Sequence, residues 1–189
     1  MEYKLGKILV TGGAGYIGSH TVRVLVKKGF DIVVYDNLVN GHKESVPEGV
    51  SFIKGDLGDV EKLDEVFREN NFDAVIHLAG FIEAGESMKE PLMFYENNVV
   101  NSFNLLKVMM KNNVKKILFS STAAIFGNPK EVPIKENAEK IPVNVYGETK
   151  LVVEKMLRDF EMAYGFNFIC LRYFNAAGAG FGVGEDHDP

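Results

Sequence analysis

The chain has 189 residues, enough for one sizeable domain, and a hydrophobic share of 46% that favours a folded core over disorder. Its net charge of −5 gives no support to nucleic acid as the main partner. The apolar runs are short, so we expect no membrane span. The single cysteine, Cys170, excludes an internal disulfide, and the N-terminus shows no secretory leader. Together these features predict a cytoplasmic protein.

Short β-branched runs alternate with longer helical patterns along the chain. Strands are predicted over residues 7–12, 31–37, 51–56, 73–80, 115–122 and 166–174. Helices are predicted over residues 15–29, 60–70, 91–113 and about 144–164. Strands that are apolar almost throughout are buried on both faces when they alternate with helices. The pattern therefore predicts an α/β fold, a doubly wound (Rossmann) parallel sheet with helices on both faces.

A glycine-rich stretch, VTGGAGYIG, joins the first predicted strand to the first predicted helix. Gly12, Gly15 and Gly18 are evenly spaced, and Gly13, Gly15 and Gly18 also satisfy G-x-G-x-x-G. Bare backbone there can approach a pyrophosphate, and the helix N-terminus supplies N–H groups and a positive dipole end. The alternative is a Gly-rich turn without a ligand. The strand–loop–helix context favours dinucleotide binding.

Acidic and small residues follow the next three strands. Asp36 ends the second strand, where a carboxylate can accept hydrogen bonds from the adenosine ribose and repel a 2′-phosphate. No Arg follows it closely, so NAD is predicted rather than NADP. Asp56 would meet the adenine amino group while Leu57 packs on the ring; the alternative for Asp56 is a turn that starts a helix. Ala79 and Gly80 permit close approach of the cofactor.

Tyr146 and Lys150 are four residues apart in a predicted helix, so they share one face. A general base at neutral pH needs a pKa near ~7, whereas a free tyrosine has a pKa near ~10. The neighbouring ammonium, together with a cationic nicotinamide, is expected to supply the difference of ~4 kcal/mol. Thr122, at the end of the fifth strand, is our choice for a hydroxyl that bridges substrate and Tyr146. The alternatives are a solvated surface pair and a strand-end cap.

These residues together resemble the extended short-chain dehydrogenase/reductase family. The signatures are TGGAGYIG, the strand-final Asp36, GDL, HLAG, SST and YGETK, and they span nearly the whole chain. Within the family, the segments AGESMKEPLMFYENNV, SSTAAIFG, LRYFNAAGA and GEDHDP are similar to those of the UDP-sugar epimerases.

The resemblance implies a tightly bound NAD and the interconversion of UDP-glucose and UDP-galactose. Tyr146 would remove the proton of the 4-hydroxyl, and the 4-keto sugar would turn over before it is reduced again. By the same resemblance Asn98 lies near the cofactor, Tyr173 near the nicotinamide and Asn175 near the substrate diphosphate, although Asn98 could instead satisfy backbone groups and Tyr173 could be core. Glu86 and Ser87 would lie near the pyrophosphate. A homodimer is expected in which the 91–113 helix and the tyrosine helix pair across a two-fold axis.

The predicted site residues fall into three sets. The cofactor contacts are Gly12, Gly15, Tyr16, Ile17, Gly18, Asp36, Asn37, Asp56, Leu57, Leu78, Ala79, Gly80, Asn98, Ser120, Tyr146, Lys150 and Tyr173. The catalytic residues are Tyr146, Lys150 and Thr122. The substrate contacts are Thr122, Tyr146 and Asn175. The four histidines show no ligand spacing, so no metal site is expected.

Two departures from the family pattern and three rival functions bear on this prediction. Ile82 stands where some members carry a lysine, and Thr122 stands where many epimerases have serine. A dehydratase is disfavoured because Ala123-Ala124 replaces the usual acid pair, but another UDP-sugar (UDP-GlcNAc or UDP-glucuronate) and a non-catalytic NAD-binding module stay open. We expect residues 1–174 to form the NAD-binding domain. Residues 175–189 would begin a substrate-binding region whose remainder is absent, as in a truncated chain.

Overall fold

The computed structural model describes residues 6–185, which contain one six-stranded parallel sheet. Its strands are β1 (Lys7–Thr11), β2 (Asp31–Asp36), β3 (Ser51–Lys54), β4 (Ala74–His77), β5 (Lys116–Thr122) and β6 (Asn167–Tyr173). Their order across the sheet is β3-β2-β1-β4-β5-β6, and every pairing is parallel. The strand order reverses between β1 and β4, which opens a crevice above their carboxyl ends. The predicted doubly wound fold is confirmed.

Within residues 6–185, six α-helices connect or flank these strands. They are α1 (Tyr16–Lys27), α2 (Val60–Glu69), α3 (Ala84–Ser87), α4 (Pro91–Phe94), α5 (Asn101–Lys111) and α6 (Val145–Tyr164). A π-helical segment, Tyr95–Val100, joins α4 to α5, so the single helix predicted over 91–113 is α, then π, then α. Two 3₁₀ turns, Lys43–Ser45 and Ala123–Phe126, and the short α3 were not predicted. Elements of three or four residues are too short to show a hydrophobic period.

The core has two halves because successive strand residues point to opposite faces of the sheet. Leu9 and Val33 belong to the larger cluster, together with buried residues of α2, α5 and α6. Val10 and Val34 belong to the other cluster, together with Val22 of α1. Helices therefore cover both faces, which explains why the strand sequences are apolar throughout.

Local capping fixes where the helix that carries Tyr146 begins and ends. Asn144 accepts a hydrogen bond at its Oδ1 from the backbone N–H of Gly147 (2.7 Å), so α6 begins at Val145. Gly165 ends the helix in the left-handed conformation, with φ of 71°. Tyr146 therefore lies in the first turn of α6, and Lys150 lies one turn later.

Neither a membrane-spanning helix nor a metal-binding cluster occurs within residues 6–185. None of its helices combines the length and the apolar character that a membrane crossing requires. Residues 6–185 also contain no group of three His, Cys, Asp or Glu side chains placed to hold a metal ion.

Candidate active site

A cleft of about 930 Å³ lies at the carboxyl edge of the sheet, above the crevice between β1 and β4. It brings together most of the residues predicted from the sequence to contact a cofactor. Those that line it are Gly12, Gly15, Tyr16, Ile17, Gly18, Asp36, Asn37, Asp56, Leu57, Leu78, Ala79, Gly80, Ser120 and Lys150. Residues far apart in the sequence thus form one elongated site, and a direct cofactor contact for each of them stays a prediction.

The glycines of the loop after β1 serve two different purposes. Gly12 has φ of 72°, and a Cβ there would overlap the backbone nitrogen of Ala79. A Cβ on Gly18 would overlap the carbonyl oxygen of Gly12. A Cβ on Gly15, in contrast, would meet only the Gly12 oxygen, at an ordinary 3.5 Å. Packing therefore requires Gly12 and Gly18, whereas Gly15 leaves bare backbone facing the cleft, as a closely approaching pyrophosphate needs.

The carboxylate of Asp36 fixes the backbone of the glycine loop and of the loop after β2. Its Oδ2 accepts a hydrogen bond from the backbone N–H of Ala14, and its Oδ1 accepts one from Leu38, both at 2.9 Å. An ionised carboxylate has about four acceptor positions, so further ones stay available for ribose hydroxyls. The side chain is buried but borders the cleft. The geometry is compatible with both a structural and a ligand-binding role.

Asp56 forms the turn that was the predicted alternative to a contact with adenine, and the adenine contact stays a prediction. Its Oδ1 accepts a hydrogen bond from Gly58 N (2.7 Å), which forms the turn that leads toward α2. Its Oδ2 accepts one from Asn37 Nδ2 (2.7 Å), which ties the loop after β3 to the loop after β2. Asp59, and not Asp56, caps α2, because its Oδ1 accepts from Lys62 N at 3.1 Å. Asp56 also lines the cleft.

Lys150 is a buried cation at the opposite end of the cleft. The residue is 3% exposed, and its Nζ donates to the backbone oxygen of Ser120 at 3.0 Å and lies 5.0 Å from the centre of the Phe119 ring. Within residues 6–185 no carboxylate forms an ion pair with it. Burial lowers the pKa of Lys150 from 10.5 to about 8. The site thus holds an ammonium group that is poorly compensated by its own protein.

The protein around Tyr146 raises the pKa of its phenol, and the combined effect of Lys150 and a nicotinamide cation stays a prediction. Burial, the largest cause, and the negative charge of Glu83 raise the pKa of the Tyr146 phenol, while a hydrogen bond with Thr122 lowers it. The Lys150 Nζ lies 6.0 Å from the centre of the tyrosine ring. The ammonium alone therefore does not make this phenol acidic, because the loss of hydration opposes ionisation more strongly.

Thr122 caps the 3₁₀ turn that follows β5, because its hydroxyl accepts from Ala124 N (3.1 Å). The same hydroxyl lies close enough to the Tyr146 phenol to lower its pKa, and a contact with substrate stays a prediction. The backbone of Tyr146 is fixed separately, because its N–H donates to Oγ of the buried Ser87 (3.0 Å). Ser87 therefore holds the start of α6, and an approach of Ser87 to a pyrophosphate stays a prediction, as does that of Glu86, which pairs with Lys89.

Three predicted cofactor contacts do not border the cleft. Asn98 is buried behind the wall, where its Oδ1 accepts from Phe81 N (2.8 Å) and its Nδ2 donates to Phe81 O (3.0 Å), so it satisfies backbone groups. Tyr146 lies beside the cleft, next to Thr122. Tyr173 ends β6 opposite Thr122, and burial raises its pKa. Asn175, a predicted substrate contact, is exposed beyond that strand.

Several lining residues were missed from the sequence. Asn97 and Asn101 border the cleft, and the run ENNVVN in an otherwise apolar helix was a signal that could have found them. Residues 38–42, 44 and 45 in one segment and residues 182–185 in a second also border it. The second segment is brought there by Tyr16, whose hydroxyl donates to Gly178 O at 2.6 Å. Of the GEDHDP signature, residues 186–189 lie outside the described residues.

The fold and this cleft define a Rossmann-type protein with a Tyr-Lys-Thr cluster at the carboxyl edge of its sheet. A profile of the NAD dependent epimerase/dehydratase family matches residues 8–189, and the chain belongs to that family.

Individual relatives agree with this assignment. The UDP-glucose 4-epimerase of Halalkalibacterium halodurans is 52% identical over 184 residues, which are 96% of this chain and 55% of the relative. A crystal structure of UDP-glucose 4-epimerase from Brucella ovis in complex with NAD matches 97% of this chain and 57% of its own, at 42% identity and a TM-score of 0.95. The structure of UDP-glucose 4-epimerase from Bifidobacterium longum in complex with NAD⁺ and UDP matches 95% of this chain and 57% of its own, at 42% identity and a TM-score of 0.91. The chain thus spans about half the length of these relatives.

Proposed function

We propose that this chain supplies the NAD-binding and proton-transfer groups of an epimerase that interconverts UDP-glucose and UDP-galactose. The observation that carries the proposal is a single cleft that runs from the glycine loop and Asp36 to Lys150, with Tyr146 beside it, its ring centre 6.0 Å from the ammonium and its phenol close to the Thr122 hydroxyl. The names of the similar proteins support the sugar nucleotide, and the NAD in two of the similar structures supports the cofactor.

The described residues fit an NAD molecule at one end of the cleft by their donors and acceptors. The bare backbone at Gly15 and the uncapped N-terminus of α1 suit a pyrophosphate, and Asp36 suits a ribose without a 2′-phosphate. Lys150 suits the hydroxyls of the second ribose, because its ammonium has donors to spare. When bound, NAD⁺ supplies a hydride acceptor for carbon 4 of the sugar and adds one positive charge to the site.

Tyr146 is proposed to take the proton of the sugar's 4-hydroxyl. The Thr122 hydroxyl is proposed to hold that 4-hydroxyl in place by a hydrogen bond. The phenol must lose more than about three units of pKa, or more than ~4 kcal/mol, to act near neutral pH, because its pKa in the protein starts above the ordinary ~10. Lys150, with a pKa of about 8, is protonated at pH 7 and gains a compensating anion when Tyr146 ionises. Closure of the site by substrate strengthens this attraction, since charges interact more strongly away from water.

The proposal is tested by a coupled assay of the full-length gene product with UDP-galactose. The Tyr146→Phe variant should lose at least ~100-fold in kcat while it still binds NAD. The control is Tyr164→Phe, a half-exposed tyrosine at the end of α6, which should keep full activity. Activity that survives Tyr146→Phe, or a wild-type protein inactive on every UDP-sugar tried, contradicts the proposal. Activity on the N-acetylated analogue of UDP-galactose, without activity on UDP-galactose itself, would identify the N-acetylated sugar nucleotide as the substrate.

A homodimer is proposed as the assembly. The outer face of the 91–111 helix carries exposed apolar side chains, of which Val100 is 50% exposed, and Phe103 packs edge-to-face on Phe160 of α6 with ring centroids 6.3 Å apart. Paired helices that bury such a face would remove it from water. Val100→Glu should give a monomer in sedimentation analysis, whereas Val132→Glu, in the exposed loop before α6, should not. A dimer that survives Val100→Glu contradicts this assembly.

We further propose residues 1–174 as the NAD-binding domain and residues 175–189 as the start of the substrate-binding region. The cytoplasm is the proposed location, because the single cysteine forms no disulfide within the chain. Neither nucleic acid nor a membrane is proposed as a partner, which is consistent with the net charge of −5.

A further inference from the structure

A histidine buried beneath the cleft takes no part in the proton transfer proposed above. His77 ends β4, next to the cleft wall at Leu78, and is 2% exposed. Its Nδ1 lies 2.7 Å from Oγ1 of Thr11, and its Nε2 lies 2.8 Å from Oγ of Ser102. The imidazole thus connects the strand that leads into the glycine loop with the helix on the other side of the cleft wall.

The direction of each hydrogen bond in this chain follows from Ser102. The Ser102 hydroxyl donates its only hydrogen to the backbone oxygen of Asn98, at 2.5 Å. Ser102 must therefore accept from His77, so Nε2 carries the proton and Nδ1 accepts from the Thr11 hydroxyl. Burial, the larger cause, and the charge of Lys150 lower the pKa of His77 to about 3. The imidazole stays neutral in physiological conditions, and one tautomer persists.

This series of hydrogen bonds, from Thr11 through His77 to Ser102, leads to the π-helical segment, Tyr95–Val100. There the backbone N–H of Asn101 bonds to the oxygen of Glu96, five residues earlier. Such turns are rare and need local support. The Ser102 hydroxyl gives that support, because it occupies the carbonyl of Asn98, the residue four positions before it. The same turn sets Asn97 at the cleft and Asn98 against both backbone groups of Phe81.

We propose that His77 is a positioning residue. Through Ser102 it fixes the π-helical turn, and through Asn97 and Asn98 that turn fixes the cleft wall at Phe81. The inference rests on the proposed function in one respect, namely that NAD occupies the cleft whose wall is being held.

Hydrogen exchange of the 189-residue chain without NAD tests the structural part directly. His77→Leu and Ser102→Ala should each speed the exchange of the amides of residues 98–103 about tenfold, the effect of losing one buried hydrogen bond. His77→Gln, which keeps a donor and an acceptor, should restore much of the protection. Unchanged exchange at these amides, or a uniform increase over the whole chain, overturns the proposal.

Ser121→Ala is the matched control. Ser121 and Ser102 are both 2% exposed, but the Ser121 hydroxyl donates to Glu154 at 2.6 Å, away from the π-helical segment. It should leave the amides of residues 98–103 unchanged. If His77→Leu does not fold, Ser102→Ala decides, since it removes only one oxygen.

A titration with NAD tests the consequence for the cleft. Ser102→Ala and His77→Leu should each raise the Kd for NAD about threefold to tenfold. The Kd of the double variant for NAD should be no higher than that of the single variant that binds NAD less tightly, because both substitutions act through the same series of hydrogen bonds. Equal Kd values in wild type and variants, or additive effects, overturn the proposal. A wild-type chain that does not bind NAD overturns the proposed function instead, and the exchange experiment still decides the role of His77.

Discussion

The two ends of the cleft are stabilised in different ways. At the glycine-loop end, Asp36 and Asp56 already accept hydrogen bonds from neighbouring loops, and the backbone of Gly12 packs on the loop after β4. At the other end, Lys150 is buried without a carboxylate partner among the described residues, and burial opposes ionisation of both Lys150 and Tyr146. The first end is shaped in advance for its ligand. The second holds a charge that a ligand rich in oxygen atoms would compensate.

The largest expected effect comes from the rigid end. Gly18→Ala should destabilise the chain by about 3 kcal/mol or more and abolish NAD binding, because its Cβ would overlap the backbone of Gly12. Gly15→Ala is the matched control, since its Cβ has room in the protein itself. It should keep the free energy of unfolding and still weaken NAD binding. Urea denaturation and an NAD titration measure both, and similar destabilisation by the two variants would contradict the distinction.

The charged end should respond in the opposite sense. Lys150→Met removes a buried cation, so the free energy of unfolding should rise by about 1–2 kcal/mol, net of the lost bond to Ser120 O. The same variant should bind NAD about tenfold more weakly, since its charged donor is lost. Stability that falls with Lys150→Met would show that the ammonium is well compensated, contrary to this description.

The stability of the wild type should also depend on pH through Lys150. Its folded pKa of about 8 lies below the ordinary 10.5, so between these values the unfolded chain binds more protons than the folded one. Stability contributed by this group therefore rises with pH through that window, by about 1 kcal/mol from pH 8 to pH 9. The free energy of unfolding of Lys150→Met should therefore exceed that of the wild type by less at pH 9 than at pH 8, as measured by urea denaturation. A constant difference across the window contradicts the lowered pKa.

The smallest effect is expected at Asp56. Asp56→Asn keeps an acceptor for Gly58 N but places an amide against Asn37 Nδ2, which removes one hydrogen bond. Stability should fall by about 1 kcal/mol, and the Kd for NAD should rise about twofold to threefold. The exposed Asp159→Asn serves as the control and should change neither value. A loss of NAD affinity beyond tenfold would show that Asp56 acts mainly on the ligand.

Much of the fold was predictable because its signals are local. Apolar strand runs, the glycine loop and the capped start of α6 each depend on a few neighbouring residues, and the structure has the predicted parallel sheet. Alternation of strands and helices then places every strand end at one edge, so Asp36 and Ser120 come to line the same cleft.

The features that were missed depend on distant parts of the chain. The π-helical segment at Asn97 has no hydrophobic period of its own, and a hydroxyl from Ser102 supports it. Residues 182–185 reach the cleft through a contact between Tyr16 and Gly178, which local patterns do not contain. The pKa of Tyr146 is raised mainly by burial of the side chain, which the four-residue spacing from Lys150 does not reveal.

The central claim is that Lys150 is a poorly compensated buried ammonium until NAD binds beside it. Nuclear magnetic resonance of the Lys150 side chain across a pH titration tests this most directly, with Lys150→Met used to assign its signal. We predict a pKa of about 8 in the free chain, and a higher value with saturating NADH, whose uncharged nicotinamide brings no second cation while its ribose oxygens accept hydrogen bonds from the ammonium. A pKa near 10.5 in the free chain, or one that NADH leaves unchanged, would contradict the claim.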